Sequence, residues 1–244
     1  MNATAHGVAA QICPDVSLKV AATREDRESA FRLIYSSYVQ TGLCGENSSQ
    51  LRITPYQLLS TTDVFIAQLG NETICTLSLV RDGELGLPME DIFESQIAER
   101  RAAGLRLAEV SCLADRRYDT KRSFGLFTDL SRLMAQFAER HGIDQLLVAV
   151  HPRHAGIYLR YMNFDIIGEQ RDYSAVQGNP AVPLCLDFNE ARTNPLTNWD
   201  KFFGERLPSD VLEPQLISCD DREYFQSLFE YDELSYQSIG TQLC

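Results

Sequence analysis

The 244 residues fit one large domain or, better, a domain of about 150 to 200 residues with an appendage. With 44% hydrophobic and 23% charged residues the chain can bury a proper core, which excludes a disordered protein. A formal net charge of -12 excludes a general nucleic-acid binder, which needs a broad basic surface to displace phosphate counterions, but leaves room for one local basic patch.

Residues 1–16, Ala-rich and aperiodic, read as a loose N-terminal arm. SLKVAA from Ser17 predicts a strand. Thr23 can then cap a helix from Arg24 to about Gln40, in which Phe31, Ile34, Tyr35 and Tyr38 recur on one face. Gly42, Gly45 and Asn47 to Ser49 make an irregular loop suited to substrate contacts, followed by a short piece around Pro55 to Leu59.

VFIAQL (64–69) and TICTLSLV (73–80), separated by Gly70-Asn71-Glu72, predict a β-hairpin. A helix from about Met89 to Ala103 ends at Gly104. In LRLAEVSCLA (105–114), the period of two places Leu107, Glu109, Ser111 and Leu113 on one face and Cys112 on the other. An acid thus sits on an apolar face.

A loop carrying Arg116, Arg117, Lys121 and Arg122 leads to Ser123. There a helix marked by Leu126, Phe127, Leu130, Leu133, Met134 and Phe137 begins, to stop at Gly142. QLLVAV (145–150) reads as a strand covered on both faces. A helix over Arg153 to Tyr161 and two closing strands, FDIIGE and VPLCLDF (182–188), complete the order β-α-β-β-α-β-α-β-α-β-β. Residues 191–244 read as a C-terminal extension with one or two helices packed on the core.

No window approaches the roughly 18 to 20 apolar residues of a membrane span, and the N-terminus lacks a signal-like pattern, so the expected location is cytoplasmic. Seven scattered cysteines without a CxxC pair read as reduced thiols, and His151 and His154 lack partners at metal-ligand spacing. Neither a metal nor a permanently bound cofactor is expected.

The element order resembles the GNAT acyltransferase superfamily over residues 17–190, an α/β (α+β) fold with a mixed central sheet flanked by helices. Two stretches carry the resemblance. YLRYMNFDIIGE (158–169) is similar to the superfamily's passage from helix to strand, with Asn163 where Gly is usual; Asn tolerates left-handed backbone angles next best after Gly. AEVSCLADRR (108–117) resembles the Glu-x-Ser strand of acyl-homoserine-lactone synthases and of their relatives, the long-chain N-acyl amino acid synthases; Cys112 replaces the arginine usual there. AFRLIYSSYVQTGLC and GLPMEDIFESQI are similar to the N-acyl amino acid synthases as well.

This resemblance implies transfer of a long-chain fatty acyl group from a phosphopantetheine thioester to the amine of an amino acid, with aromatic acceptors such as tyrosine a known class. The ammonium must lose a proton, and a buried Glu109 carboxylate with a raised pKa can accept it. The alternative is a structural acid paired with Arg106 or Arg32. Backbone N–H groups near Ser111, Cys112 and Leu113 would stabilise the oxyanion if the strand bends. Tyr158 would protonate the leaving thiolate, or else is a packed helix tyrosine. A Cys112–histidine pair is disfavoured because alternation separates Cys112 from Glu109.

Arg116, Arg117, Arg122, Ser123, Phe124 and Gly125 would hold the donor, since helix N-terminal amides and basic side chains suit phosphate. RSFGLF (122–127) partly resembles the GNAT pyrophosphate loop, but Phe127 fills its last small position. That favours an acyl carrier protein over coenzyme A, and acidic carrier proteins would dock on the basic cluster unless it is a solvated loop. The rival readings are an acyl-homoserine-lactone synthase, disfavoured by Cys112 and a single tryptophan at Trp199, and a non-catalytic module sensing acyl carriers.

Overall fold

The computed structural model describes residues 16–116 and 120–229, and of residues 120–123 the backbone only. The strands are β1 (Val16–Val20), β2 (Thr62–Leu69), β3 (Glu72–Arg81), β4 (Leu107–Asp115), β5 (Gln145–Val150), β6 (Asp165–Ile166), β7 (Arg171–Tyr173) and β8 (Asn179–Asp187). The helices are α1 (Arg24–Thr41), α2 (Glu90–Ala102), α3 (Thr120–Arg140), α4 (Pro152–Tyr161), α5 (Phe188–Thr193), α6 (Trp199–Phe203) and α7 (Cys219–Leu228). The strands form one mixed sheet in the order β1-β2-β3-β4-β5-β8-β6, with β7 also on β8. Only β4 and β5 run parallel among the described strands; the other pairs are antiparallel.

Local chemistry sets the boundaries. The Thr23 hydroxyl accepts the Asp26 N–H at 3.2 Å while the Asp26 carboxylate accepts the Thr23 N–H at 3.5 Å, a reciprocal cap at the start of α1, and the Ala22 N–H at 3.2 Å. Gly42, at φ 70°, ends that helix in the left-handed conformation. Leu69 pairs with Glu72, so the hairpin turn is the two residues Gly70-Asn71, with Gly70 at φ 60°.

Each face of the sheet has its own cover. Phe65, Leu77, Leu79, Ala108, Val110, Leu146 and Val148 pack against Leu130, Leu133 and Phe137 of α3 and Tyr158 of α4. On the opposite face, Val64, Ile66 and Ala114 meet Phe31 and Ile34 of α1, while Val80, Leu107 and Leu147 meet Phe93 and Ile97 of α2.

Three elements differ from expectation. α3 already runs from Thr120, so Lys121 and Arg122 belong to the helix and not to a loop before it. The FDIIGE strand shrinks to Asp165–Ile166, and Arg171–Tyr173 adds a strand on the same edge of β8. Proline explains the break. Ile167 donates its N–H to the Pro183 carbonyl at 3.0 Å, so the outward-facing site of β8 at Pro183 can accept but has no N–H to return. The expected N-terminal arm, apart from Val16, and everything past Phe229 lie outside the described residues.

After β8 the chain wraps both layers. The Gln136 amide of α3 donates to the Phe202 carbonyl of α6 at 2.6 Å, and Trp199 stacks on Phe203 at 4.1 Å. α7 returns to α1: Phe225 meets Phe31 edge to face at 5.1 Å, Arg24 pairs with Asp221 at 2.6 Å, and the Arg27 guanidinium donates to the Gln215 carbonyl. Both rings are fully buried. Phe225→Ala is therefore expected to cost about 3 to 5 kcal/mol, measured by denaturant unfolding; a loss below about 1 kcal/mol would show that α7 is not part of the folded core.

Candidate active site

The site forms where β4 changes its pairing. In the β3–β4 ladder Ser78 faces Ser111 and Thr76 faces Ala114, so Cys112 and Leu113 together stand opposite the single residue Leu77. This is a β-bulge, with Cys112 at φ 53°. On its other side β4 pairs with β5 only through Leu107, Ala108 and Glu109. From Val110 onward β4 has no ladder partner in β5, and a cleft opens between the strands.

The bulge corrects the expected alternation. Leu107 and Leu113 were to share a face, yet Leu107 joins the core under α2 while Leu113 packs on the α3 side. The extra residue reverses the order, and Cys112 comes to the face of Glu109, against the α1 cluster. This does not create a Cys–His pair. Burial foremost raises the Cys112 thiol, and the groups acting on it are Arg52, Ser111 and Glu109, with no histidine. His151 instead caps α4, its Nδ1 accepting the Arg153 N–H at 3.2 Å.

Glu109 is 3% exposed. Its Oε2 accepts the Met89 N–H at 2.7 Å, at the N-terminal end of α2, while Leu87, Met89 and Phe93 around that turn are fully buried. Neither proposed structural partner is available, because Arg106 pairs with Asp144 at 2.9 Å and Arg32 with Glu28 at 2.7 Å. Burial therefore dominates. It pushes the carboxyl up to about 8 despite the Met89 N–H, with Asp91 and Glu90 adding to the rise. Tyr173, whose hydroxyl donates to the Pro88 carbonyl at 2.7 Å, is raised by burial and then by Glu109 nearby.

The opposite side of the cleft is aromatic. Tyr158 is 7% exposed, lies 5.3 Å from Phe164 and 6.2 Å from Phe127, and is pushed up to about 12 by burial. The contacts continue outward from Phe127 to Phe124, which is 40% exposed and meets Tyr161 at 5.8 Å. Tyr158 also acts on Tyr38 of α1, whose hydroxyl is raised by burial, then by Cys112. Since α1 and α4 cover opposite faces, the two phenols stand on either side of the sheet where β4 parts from β5.

The donor residues are only partly described. Arg117 and the side chains of Arg122 and Ser123 lie outside the described residues, while Phe124 and Gly125 occupy the first turns of α3. Arg116 is at the end of β4, its N–H donating to the Ile74 carbonyl at 2.8 Å and its guanidinium paired with Glu72. Asn163 adopts φ 57°, and its side chain bonds the Asn194 carbonyl and the Leu196 N–H. Glycine could supply the angle but neither bond.

Sequence reasoning missed Arg52. Its guanidinium lies 5.1 Å above the Tyr38 ring and donates to the Ala175 carbonyl at 2.9 Å, while the Asn179 amide donates to the Gly42 carbonyl at 3.3 Å. The loop after α1 and the turn before β8 thus meet over the Glu109 face. The available signal was a single cation in the loop from Gly42 to Thr54, whose one other charged residue is Glu46.

The raised Glu109 pKa has a definite sign for stability. The folded state holds a proton that the unfolded chain releases near pH 4.5, so stability falls as pH rises from about 4.5 through 8 and then levels. Glu109→Gln removes the titration and can still accept the Met89 N–H. It should leave Tm nearly unchanged at pH 5 and raise it by several degrees at pH 9; equal shifts at both pH values would contradict the buried-acid assignment.

The description N-acyl amino acid synthase FeeM matches residues 29–187. The solved structure of FeeM, an N-acyl amino acid synthase from uncultured soil microbes, is 26% identical with a TM-score of 0.65, covering 76% of this chain and 98% of its own. The acyl-homoserine-lactone synthase LasI shares the fold at 13% identity and a TM-score of 0.59, covering 79% of this chain and 96% of its own. BjaI, a coenzyme A-dependent acyl-homoserine-lactone synthase solved with MTA, does so at 15% and 0.57, covering 86% and 100%. No curated protein matches the chain. Among the described residues no helix is long and apolar enough to cross a membrane. The fold is that of the GNAT acyltransferases, and the chain is an acyltransferase that belongs to the FeeM family of N-acyl amino acid synthases.

Proposed function

We propose that the chain acts in the cytosol, moving a long-chain fatty acyl group from the phosphopantetheine thioester of an acyl carrier protein to the amine of an amino acid, with tyrosine the leading acceptor. The observation that carries this reading is Glu109, a buried acid with a raised pKa beside a cleft in the sheet. Glu109 takes a proton from the acceptor's ammonium, and the free amine attacks the thioester carbonyl. The new C–N bond forms, the oxyanion is held by backbone N–H groups around Ser111, Cys112 and Leu113, and the C–S bond breaks. Tyr158 gives its proton to the departing thiolate and is reprotonated by the second proton that the nitrogen sheds as the amide forms. Burial keeps the phenol protonated throughout the physiological range, so that the proton is present when the thiolate departs.

The donor reaches the cleft from the α3–α4 side in this reading, along Phe124, Gly125 and Phe127. Phe127, half-buried against Tyr158, occupies the position that a diphosphate would need kept small, which favours a carrier protein over coenzyme A. Arg117, Arg122 and Ser123 serve the phosphate and the acidic carrier surface, while Arg116 shares its charge with Glu72. No cofactor is bound permanently.

Mass spectrometry of organic extracts from bacteria expressing the chain should show new N-acyl amino acids, naming acceptor and chain length; an unchanged profile counts against the activity. In purified assays, acyl carrier protein and coenzyme A thioesters are compared directly. With a base titrating near 8, kcat/KM should climb with pH below about 8 and level above it. Glu109→Gln should lower kcat by about 10²- to 10⁴-fold and abolish that limb while donor binding persists. Full activity in the variant would remove Glu109 from the mechanism.

A further inference from the structure

Among the described residues Arg52 pairs with no carboxylate. Its backbone is fixed by the N–H bond to the Phe31 carbonyl at 3.1 Å, and one terminal nitrogen is held by the Ala175 carbonyl at 2.9 Å. Its Nε is buried and has no hydrogen-bond partner among the described residues. The side chains around its charge are Tyr38, Cys44, which also hydrogen-bonds to it, and Cys112, all groups that burial keeps neutral. A guanidinium held among neutral groups with a dry, unused donor is costly unless an anion completes it.

The position of Arg52 says which anion. Arg52 lies over the Tyr38 ring, Tyr38 and Cys112 pack in one cluster, and Cys112 shares its face of β4 with Glu109, so the cation and the acid stand on one face of the sheet. An α-amino acid carries an ammonium and a carboxylate on the same carbon, one for each of these groups. The planar guanidinium fork matches the two carboxylate oxygens, whereas the donor's phosphate belongs to the α3–α4 side in the reading above.

We propose that Arg52 binds the α-carboxylate of the acceptor and so restricts the enzyme to amino acids over simple amines. This rests on the proposed acyl transfer to an amino acid. Arg52 sets the acceptor's orientation: with the carboxylate clamped under the loop after α1, the amine turns toward Glu109 and the cleft. Tyr38, beneath the guanidinium, keeps the fork flat and dry.

The test uses the full chain and the acyl thioester that gives the highest transfer rate. L-tyrosine, L-phenylalanine and L-leucine are each compared with their methyl esters, which keep the amine and side chain but lose the anion. The wild type should favour the acid. Arg52→Gln should lower kcat/KM for the acid about 10- to 100-fold, while the ester rate and the donor KM stay within about twofold. Arg52→Lys, with charge but no fork, should fall between the two.

Three results overturn the proposal: wild-type enzyme that uses the esters as well as the acids, an equal loss for acid and ester in Arg52→Gln, or a change in donor KM instead of acceptor KM. The first needs no variant, so it decides the matter even if Arg52→Gln does not fold. Wild-type enzyme that acylates none of these amines from any thioester would refute the underlying acyl-transfer reading and this proposal with it.

Discussion

The parallel ladder between β4 and β5 ends at Glu109, and three residues later the β4 backbone takes a left-handed turn at Cys112. These two events make one constraint. Without the extra residue, β4 would continue its alternation, Cys112 would face α3, and the strand edge would have no reason to leave β5. A non-glycine residue in the left-handed region costs about 1 to 2 kcal/mol, and the abandoned ladder positions add to that. The cores on both faces offset this expense. What remains is a sheet whose central strands β4 and β5 part after Glu109, with Tyr158 packed on one face and Tyr38 on the other.

Glu109 shows how such a site tunes a proton. The carboxyl receives a favourable contact from the Met89 N–H at a helix start, which by itself would hold its proton weakly. Desolvation overrides that contact, and two further acids reinforce the rise. Arg106 and Arg32, either of which could have neutralised Glu109, are each occupied by a carboxylate elsewhere. Among the described residues Glu109 thus forms no ion pair with a cation, and Arg52 none with an acid. Separation of the two charges leaves room for a substrate that bears both signs.

Features governed by nearest neighbours were legible in the sequence. The Thr23 cap, the hairpin between the second and third strands, the left-handed Asn163 and the apolar face of α3 all depend on a few adjacent residues, and the structure places them as read, with Glu72 moved from the hairpin's turn into its strand. Features that depend on a distant strand were not. The bulge at Cys112 is visible only once β3 supplies the opposite register, and the division of the last edge into β6 and β7 follows from a proline in β8. The candidate site divides the same way. Glu109 stood out as an acid in an apolar strand, whereas Arg52 gains meaning only when α1 and the turn before β8 close over it.

The clasp of α7 on α1 orders events in time. Phe31 is fully buried, and Phe225 lies against it almost two hundred residues later in the chain. While the chain is being synthesised, α1 emerges first with its apolar face uncovered and must wait for the last described helix to arrive. Tyr38 belongs to that same helix, and Arg52 is anchored to the carbonyl of Phe31. The acceptor side of the cleft is therefore among the last parts to settle, and an unfinished chain carries the acid of β4 without the wall that faces it.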